Sequence, residues 1–229
     1  MLKVERLNAF YDQFHVLQDV SLEVREREAV GLIGPNGHGK STLLKAICGL
    51  VPIASGDVFF KGERINGLGT PELVNRGIVY VAEDRHLFGD MTVRENLILG
   101  AYLPRARKRK DAGLRRVFEL YPRLAERQGQ LAKTLSGGEA QMLALGRGLM
   151  SAAELMAIDE PSLGLAPNLV RTMLDTIGRI RESGISVLLV EQNTAQLEGL
   201  IERVYVLEEG RVAREASIRA FNRPAGHAS

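Results

Sequence analysis

The chain has 229 residues, 45% of them hydrophobic, with 30 basic and 28 acidic side chains for a formal net charge of +2. That length sits at the upper edge of one ordinary domain or allows one core plus an inserted subdomain, and the near-cancelled charge makes no electrostatic demand for a nucleic-acid partner. One cysteine leaves no intrachain disulfide, the four scattered histidines show no zinc spacing, and no uncharged stretch exceeds about eleven residues against the roughly 20 of a membrane helix. The N-terminus, with Lys3 and Glu5, does not read as a signal peptide.

Leu2, Val4 and Leu7, then Val16 to Val24, read as short strands on either side of an aromatic-bearing turn at Tyr11–Phe14. Ala29–Ile33 is a compact apolar run typical of a buried strand, and residues 34–39 are loop. Apolar residues at 43, 44, 47 and 50 then set a helical period from Lys40 to Leu50. Further strands are predicted at Val58–Phe60 and Ile78–Val81. From Thr92 to about Ser151 the pattern is almost wholly helical. Strands return at Leu155–Ile158, Ile185–Val190 and Val204–Leu207, with a helix over Asn168–Glu182. This order predicts a mostly parallel sheet carrying a helical subdomain. The expected boundaries are a core of residues 1–84 and 152–222, a helical subdomain at 85–151, and a frayed tail at 223–229.

Gly34-Pro35-Asn36-Gly37-His38-Gly39-Lys40-Ser41 fits G-x-x-x-x-G-K-[ST] between a predicted strand and helix, with Thr42 following. Glycines let successive backbone N–H groups turn toward a phosphate, and the helix from Lys40 adds its partial positive charge. Lys40 is expected to reach the β/γ-phosphates of ATP and Ser41 to ligate Mg²⁺. His38 occupies a position that the pattern leaves free, so it is expected to be an exposed spectator. Asp159 and Glu160 follow a later apolar strand. By themselves two adjacent carboxylates suit a solvated turn. With the cradle upstream, Asp159 is expected to hold Mg²⁺ and Glu160 to polarise the attacking water, so ATP hydrolysis is the favoured chemistry. Ser136, Gly137, Gly138 and Glu139 open another helix with a capping-box spacing, and their glycines make a second backbone anion site.

Three motifs carry a resemblance: the Walker A run at 34–41, LSGGE at 135–139, and the Asp159-Glu160 pair. Together they resemble an ABC-transporter ATP-binding cassette, a P-loop NTPase with a RecA-like sheet, an antiparallel β subdomain and an inserted helical subdomain. Ser162-Leu163-Gly164-Leu165-Ala166-Pro167, Val190-Glu191-Gln192-Asn193 and Val81-Ala82-Glu83-Asp84-Arg85 resemble more closely the LivF-type ATPase subunit of branched-chain amino acid importers. The resemblance implies that Tyr11 stacks on adenine and that Ser162–Leu165 joins two active sites. It also implies that residues 135–139 close head to tail over the ATP of a second cassette.

Glu83 stands where most cassettes have a glutamine that contacts Mg²⁺ and senses the membrane partner. Gln192 stands for the usual switch histidine; it can donate a hydrogen bond to the γ-phosphate but cannot carry a positive charge. The expectation is slower hydrolysis at this subunit's own site than in a histidine-bearing partner. Arg27 replaces a turn glycine, which predicts a strained or reshaped hairpin. Ala140 replaces a glutamine beside the partner's nucleotide, and Ala82 and Asp84 depart from the usual residues around Glu83. The basic run Arg105–Lys110 reads as a solvated edge, with anionic lipid as the other reading. Cys48 reads as a buried structural thiol.

The implied function is the ATP-hydrolysing subunit of an importer for branched-chain or related amino acids, peripheral at the cytoplasmic face of the inner membrane. Its implied partners are permease subunits, a second cassette and, through the permease, a solute-binding protein, with no nucleic acid. Urea or amide import, a soluble non-transport cassette ATPase and a non-hydrolytic nucleotide-gated module are the alternatives.

Overall fold

The computed structural model describes residues 1–222; the tail expected at 223–229 lies outside them. β1 (Leu2–Tyr11) and β2 (Phe14–Val24) pair antiparallel, turning at Asp12 in the left-handed region (φ 51°). β3 (Ala29–Ile33) is buried at every position and leads through the 34–39 loop into α1 (Lys40–Ile47). That helix stops short of Leu50, at Cys48, with Gly49 in the left-handed region (φ 70°). β4 (Ser55–Phe60), β5 (Glu63–Arg64), α2 (Thr70–Arg76) and β6 (Ile78–Val81) follow.

The stretch expected to be almost wholly helical is broken into α3 (Val93–Gly100), α4 (Pro104–Arg107), α5 (Lys110–Leu120), α6 (Pro122–Glu126) and α7 (Gly137–Met150). Pro104 and Pro122 each open a helix, where a missing N–H costs nothing and the fixed φ is already helical. β7 (Leu155–Asp159), α8 (Pro167–Glu182), β8 (Ser186–Val190), β9 (Arg203–Glu208), β10 (Arg211–Ser217) and α9 (Ile218–Asn222) complete the chain.

Two sheets result: β2-β1-β4-β5, all antiparallel, and β10-β9-β3-β8-β7-β6, in which only β10 runs antiparallel to its neighbour. β3, β7 and β8 are buried at all five positions, as a sheet covered on both faces requires. Alternate side chains of β8 enter different cores. Val187 and Leu189 pack with the helices of residues 93–180, whereas Leu188 and Val190 pack with α1 and the antiparallel sheet. The strand-and-helix arrangement is the expected α/β architecture. α2 and β10 were not legible: α2 buries only Leu73, and no residue of β10 is buried.

Arg105 corrects the reading of its run as a solvated edge. Its guanidinium donates to the carbonyls of Val74 (3.0 Å) and Ala152 (3.3 Å) and lies 3.8 Å from Glu154, tying α4 to the chain around α2 and β7. Lys108 and Arg109 remain exposed. Arg27 takes the left-handed conformation (φ 58°) in the turn between β2 and β3, as a turn glycine would. Its N–H donates to Ser186 Oγ (2.9 Å), which donates in turn to Arg25 O (3.1 Å). A Cβ is unfavourable in that region, so Arg27→Gly is expected to raise thermal stability by about 0.5–1 kcal/mol. An unchanged or lowered melting temperature would show that the turn carries no such strain.

Candidate functional site

The cradle forms because β3 is locked between β8 and β9 and must release its chain at their carboxyl ends. Gly34 sits so close to β9 that a Cβ there would stand 2.1 Å from Leu207 O, and Gly39 caps α1 in the left-handed region (φ 98°). Pro35, Asn36 and Gly37 face solvent at the rim, whereas Lys40 and Thr42 are buried. The Lys40 ammonium donates to the carbonyls of Gly34 (2.9 Å) and Pro35 (3.0 Å) and lies 3.7 Å from a Glu160 oxygen. A buried cation held between loop carbonyls and one carboxylate is placed to meet a phosphate.

His38 is not the expected exposed spectator. Its Nδ1 accepts the Glu209 N–H (2.9 Å), and its carbonyl accepts the Gly210 N–H (3.2 Å), pinning the cradle to the β9–β10 turn. Gly210 in turn accepts from Gln18 N–H (2.8 Å), so β2 is held to the same turn. Tyr11, at the far end of that hairpin, is 45% exposed and cross-strand from exposed Phe14. Among the described residues no aromatic ring stacks on it, while Phe10 stacks on His15 with centroids 4.2 Å apart.

Asp159, 1% exposed, ends β7 beside the cradle. Its Oδ1 accepts from Ser41 Oγ (2.9 Å) and its Oδ2 from Tyr80 OH (2.8 Å). Burial pushes the Tyr80 phenol well above its ordinary pKa, and the Asp159 charge adds to the push, so Tyr80 remains a donor. Cys48 is buried close by, and burial, with a further push from Asp159, raises its thiol to about 12; it is an inert packing group. Ser41 and Asp159 present the oxygen donors that Mg²⁺ prefers. Glu83 is exposed and makes no hydrogen bond to either, and no three His, Cys, Asp or Glu side chains gather into a metal site among the described residues.

Glu160 occupies the left-handed region (φ 41°), its N–H donating to Val190 O (3.1 Å). Its Oε2 accepts from Gln192 Nε2 at 2.5 Å, so the pair of strand ends on β7 and β8 meets through side chains as well. Glu191, between them, is 3% exposed and accepts from Ser162 N–H (3.1 Å) and Ser162 Oγ (2.7 Å). Burial lifts its carboxyl above the ordinary pKa, the Ser162 bonds oppose that, and the Glu160 charge reinforces it.

Ser136 and Glu139 close the expected capping box at the start of α7, and Arg127 adds a 3.0 Å ion pair to Glu139. Partial burial alone would raise the Glu139 carboxyl, but the bonds from Ser136 with Arg127 and Arg123 hold it below its ordinary range. Gly138 leaves room for Leu169, which a Cβ would meet at 2.7 Å. No hydrogen bond or ion pair joins residues 136–139 to the cradle among the described residues. Ala140 is buried, and the neighbouring Gln141 accepts from Arg85 Nε (2.9 Å). Arg147, also on α7, donates to the carbonyls of Arg85 (2.8 Å) and His86 (2.6 Å). These bonds tie the loop that carries Glu83 to the helix that begins at Gly137.

The family model described as "ABC transporter" matches residues 17–163, which hold the cradle, the LSGGE run and the carboxylate pair. The chain belongs to the ABC transporter family. It is 44% identical over 212 residues to a Pseudomonas aeruginosa protein named high-affinity branched-chain amino acid transport ATP-binding protein BraG, covering 93% of this chain and 91% of that one. It is 37% identical over 214 residues to the probable branched-chain amino acid transport ATP-binding protein LivF of Archaeoglobus fulgidus, covering 93% and 90%. A nucleotide-free ATP-binding cassette from an ABC transporter superposes with a TM-score of 0.84 at 27% identity, covering 95% of this chain and 91% of that one. A dimeric cassette in a post-hydrolysis state bound to ADP and Pi gives 0.81 at 26%, covering 96% and 99%. This chain is therefore an ATP-binding cassette ATPase of the P-loop fold.

Tyr80, Glu191 and the anchoring bond of His38 were not found from the residue pattern. Of these, Glu191 alone left a trace: a carboxylate directly after a wholly apolar strand. The cassette's cradle depends on His38 for its hold on the 209–210 turn. His38→Ala is expected to weaken ATP binding about fivefold, the worth of one lost hydrogen bond, with the fold intact by circular dichroism. Equal affinity in a nucleotide titration would return His38 to a spectator.

Proposed function

We propose that this cassette hydrolyses ATP to drive uptake of branched-chain or related amino acids. The convergence of Lys40, Ser41, Asp159, Glu160 and Gln192 at one sheet edge carries the chemistry, and the 44% identity to the Pseudomonas protein carries the solute class. The backbone N–H groups of residues 34–41 cradle the phosphates, and Lys40 exchanges its loop carbonyls for β/γ-phosphate oxygens. Thr42 supports the start of α1 below them. Tyr11 offers its exposed ring to adenine. Ser41 and Asp159 would hold Mg²⁺, with Glu83 as the further oxygen ligand, and the ion would supply charge neutralisation on the phosphates. Glu160 accepts hydrogen bonding from the attacking water, and Gln192 orients both the carboxylate and the γ-phosphate through its amide.

Ser136, Gly137, Gly138 and Glu139 make no hydrogen bond or ion pair to the cradle of their own chain among the described residues, which supports the reading that they close over the ATP of a second cassette. Phe88, Leu99 and Tyr102 are exposed around the loop that follows β6. Such an apolar surface next to a loop bonded to α7 suits docking of a permease subunit. A solute-binding protein would then act through the permease, on the other side of the membrane. No helix among the described residues is long and apolar enough to cross a membrane. The likeness to branched-chain amino acid transport ATP-binding proteins supports a peripheral place for the cassette at the cytoplasmic face, against the permease.

The solute reading is tested by reconstituting the chain with its permease and second-cassette partners in proteoliposomes. ATP-dependent accumulation of leucine, isoleucine or valine is the expected result; uptake of urea or an amide instead would move the chain to that class of importer. Glu160→Gln is expected to lower kcat by about 10²–10³-fold while ATP still binds. Gln192→His is expected to raise turnover of the assembled pair, and unchanged turnover would dismiss the idea that the amide slows this site.

A further inference from the structure

Glu191 is a carboxylate enclosed in protein, 3% exposed, and no step of the hydrolysis described above uses it. Enclosing an ionisable group is unfavourable unless its lone pairs are satisfied, and each of its oxygens accepts a bond from Ser162, with the Gln192 backbone adding to them. Oε1 accepts the Ser162 N–H and Oε2 the Ser162 Oγ–H, across 29 positions of sequence. Ser162 lies two residues beyond Glu160 in the turn that leaves β7, and Glu191 lies one residue before Gln192 where the chain leaves β8. The Glu160 N–H to Val190 O bond and the Gln192 to Glu160 side-chain bond complete three successive links between the two strand ends.

The turn so held bonds to itself only through the Leu163 N–H to Glu160 O (3.2 Å) and Leu165 N–H to Ser162 O (3.1 Å) contacts. Glu160 is left-handed (φ 41°) without being glycine, Gly164 is left-handed (φ 73°), and Leu163 is 49% exposed. A cavity of about 230 Å³, lined by Ser162, Leu165, Pro167, Val170, Glu191 and Asn193 among others, lies beside the turn, so little packing fixes that side of it. The two-bond clasp of Ser162 is what ties it to the end of β8.

We infer that Glu191 is a positioning residue for hydrolysis: by clasping Ser162 it holds the turn that starts at Glu160 against the strand end that bears Gln192. The inference rests on the proposed role of Glu160 and goes beyond it, because it places the alignment of that carboxylate under the control of a residue that never meets ATP. The clasp requires shape and hydrogen bonding rather than charge. A glutamine at 191 can keep both contacts, its amide oxygen accepting from Ser162 N–H and its amide nitrogen donating to Ser162 Oγ.

The test is steady-state ATP hydrolysis and nucleotide binding by the full chain assembled with its partner cassette, for Glu191→Ala, Glu191→Gln, Ser162→Ala, the Glu191→Ala/Ser162→Ala double variant, and Glu160→Gln. Glu191→Ala should lower kcat roughly tenfold or more, with KM and ATP affinity in EDTA kept within about twofold. Ser162→Ala, which keeps the backbone bond, should lower kcat by less, and the double variant should be no slower than Glu191→Ala, since Glu191→Ala already removes both bonds. Glu191→Gln should recover most of the turnover. A wild-type kcat in Glu191→Ala, a parallel fall of kcat and ATP affinity, or losses that multiply in the double variant would each overturn the clasp. Should Glu191→Ala fail to fold, Ser162→Ala with Glu191→Gln decides: unchanged kcat in the former, or loss in the latter, overturns it. Turnover that persists in Glu160→Gln would instead remove the reading of the general base. Loss there with none in Glu191→Ala overturns the clasp alone.

Discussion

The burial of three adjacent parallel strands governs the rest of this molecule. β3, β8 and β7 have no exposed residue, so every backbone N–H and C=O within them must be paired across the ladder. The pairing aligns Leu32 with Val190 and Val190 with Asp159, and the three strands therefore stop at one common edge. Their chains must leave there together. The polar groups that follow each strand, from Gly34 to Ser41, Asp159 to Ser162 and Glu191 to Gln192, are gathered by that constraint before any attraction among them acts.

At that edge the protein leaves few charges unpaired. Lys40 is satisfied by two carbonyls and Glu160, Asp159 by Ser41 and Tyr80, and Glu191 by Ser162. The contacts of Lys40, Glu160 and Asp159 can be exchanged for ones to a phosphate, a cation or a water at modest cost, because the groups are already desolvated and aimed, whereas the Glu191 clasp stays in place. The strained backbone at Glu160 belongs to the same design: the surrounding bonds impose a left-handed residue where the carboxylate must point inward from a strand end. On the helical side, Arg147 and Gln141 bond the loop that carries Glu83 to α7, the helix that opens at Gly137.

Much of this was legible because glycine, lysine and paired carboxylates at fixed spacing have few other uses between a strand and a helix. The apolar runs of β3, β7 and β8 were legible for the related reason that a strand covered on both faces cannot tolerate polar side chains. Legibility failed where a residue type has a common ordinary role. A tyrosine in the apolar run Ile78–Val81 reads as core, and only the position of Asp159 across the β6–β7 pairing turns its hydroxyl into an anchor. His38 reads as loop surface until the β9–β10 turn arrives beside it, 171 residues later. Arg105 reads as one charge in a solvated run, and its carbonyl partners come from α2 and the chain before β7. α2 and β10 bury too little for any periodicity to appear.

The local order of chemistry-bearing residues was thus set by sequence alone: which segments end in phosphate-binding glycines, which strand delivers Asp159 and Glu160, and which helix begins with the capping box at Ser136. These are matters of backbone geometry and of spacing within one segment, so they are written in consecutive residues. Only the tertiary structure decided which of those segments meet. It brought Glu191 to Ser162, Gln192 to Glu160 and His38 to Glu209, and among the described residues it joined residues 136–139 to the cradle by no hydrogen bond or ion pair. Such contacts depend on strand order and register in the buried sheet, quantities to which every residue of the core contributes and which no single segment contains.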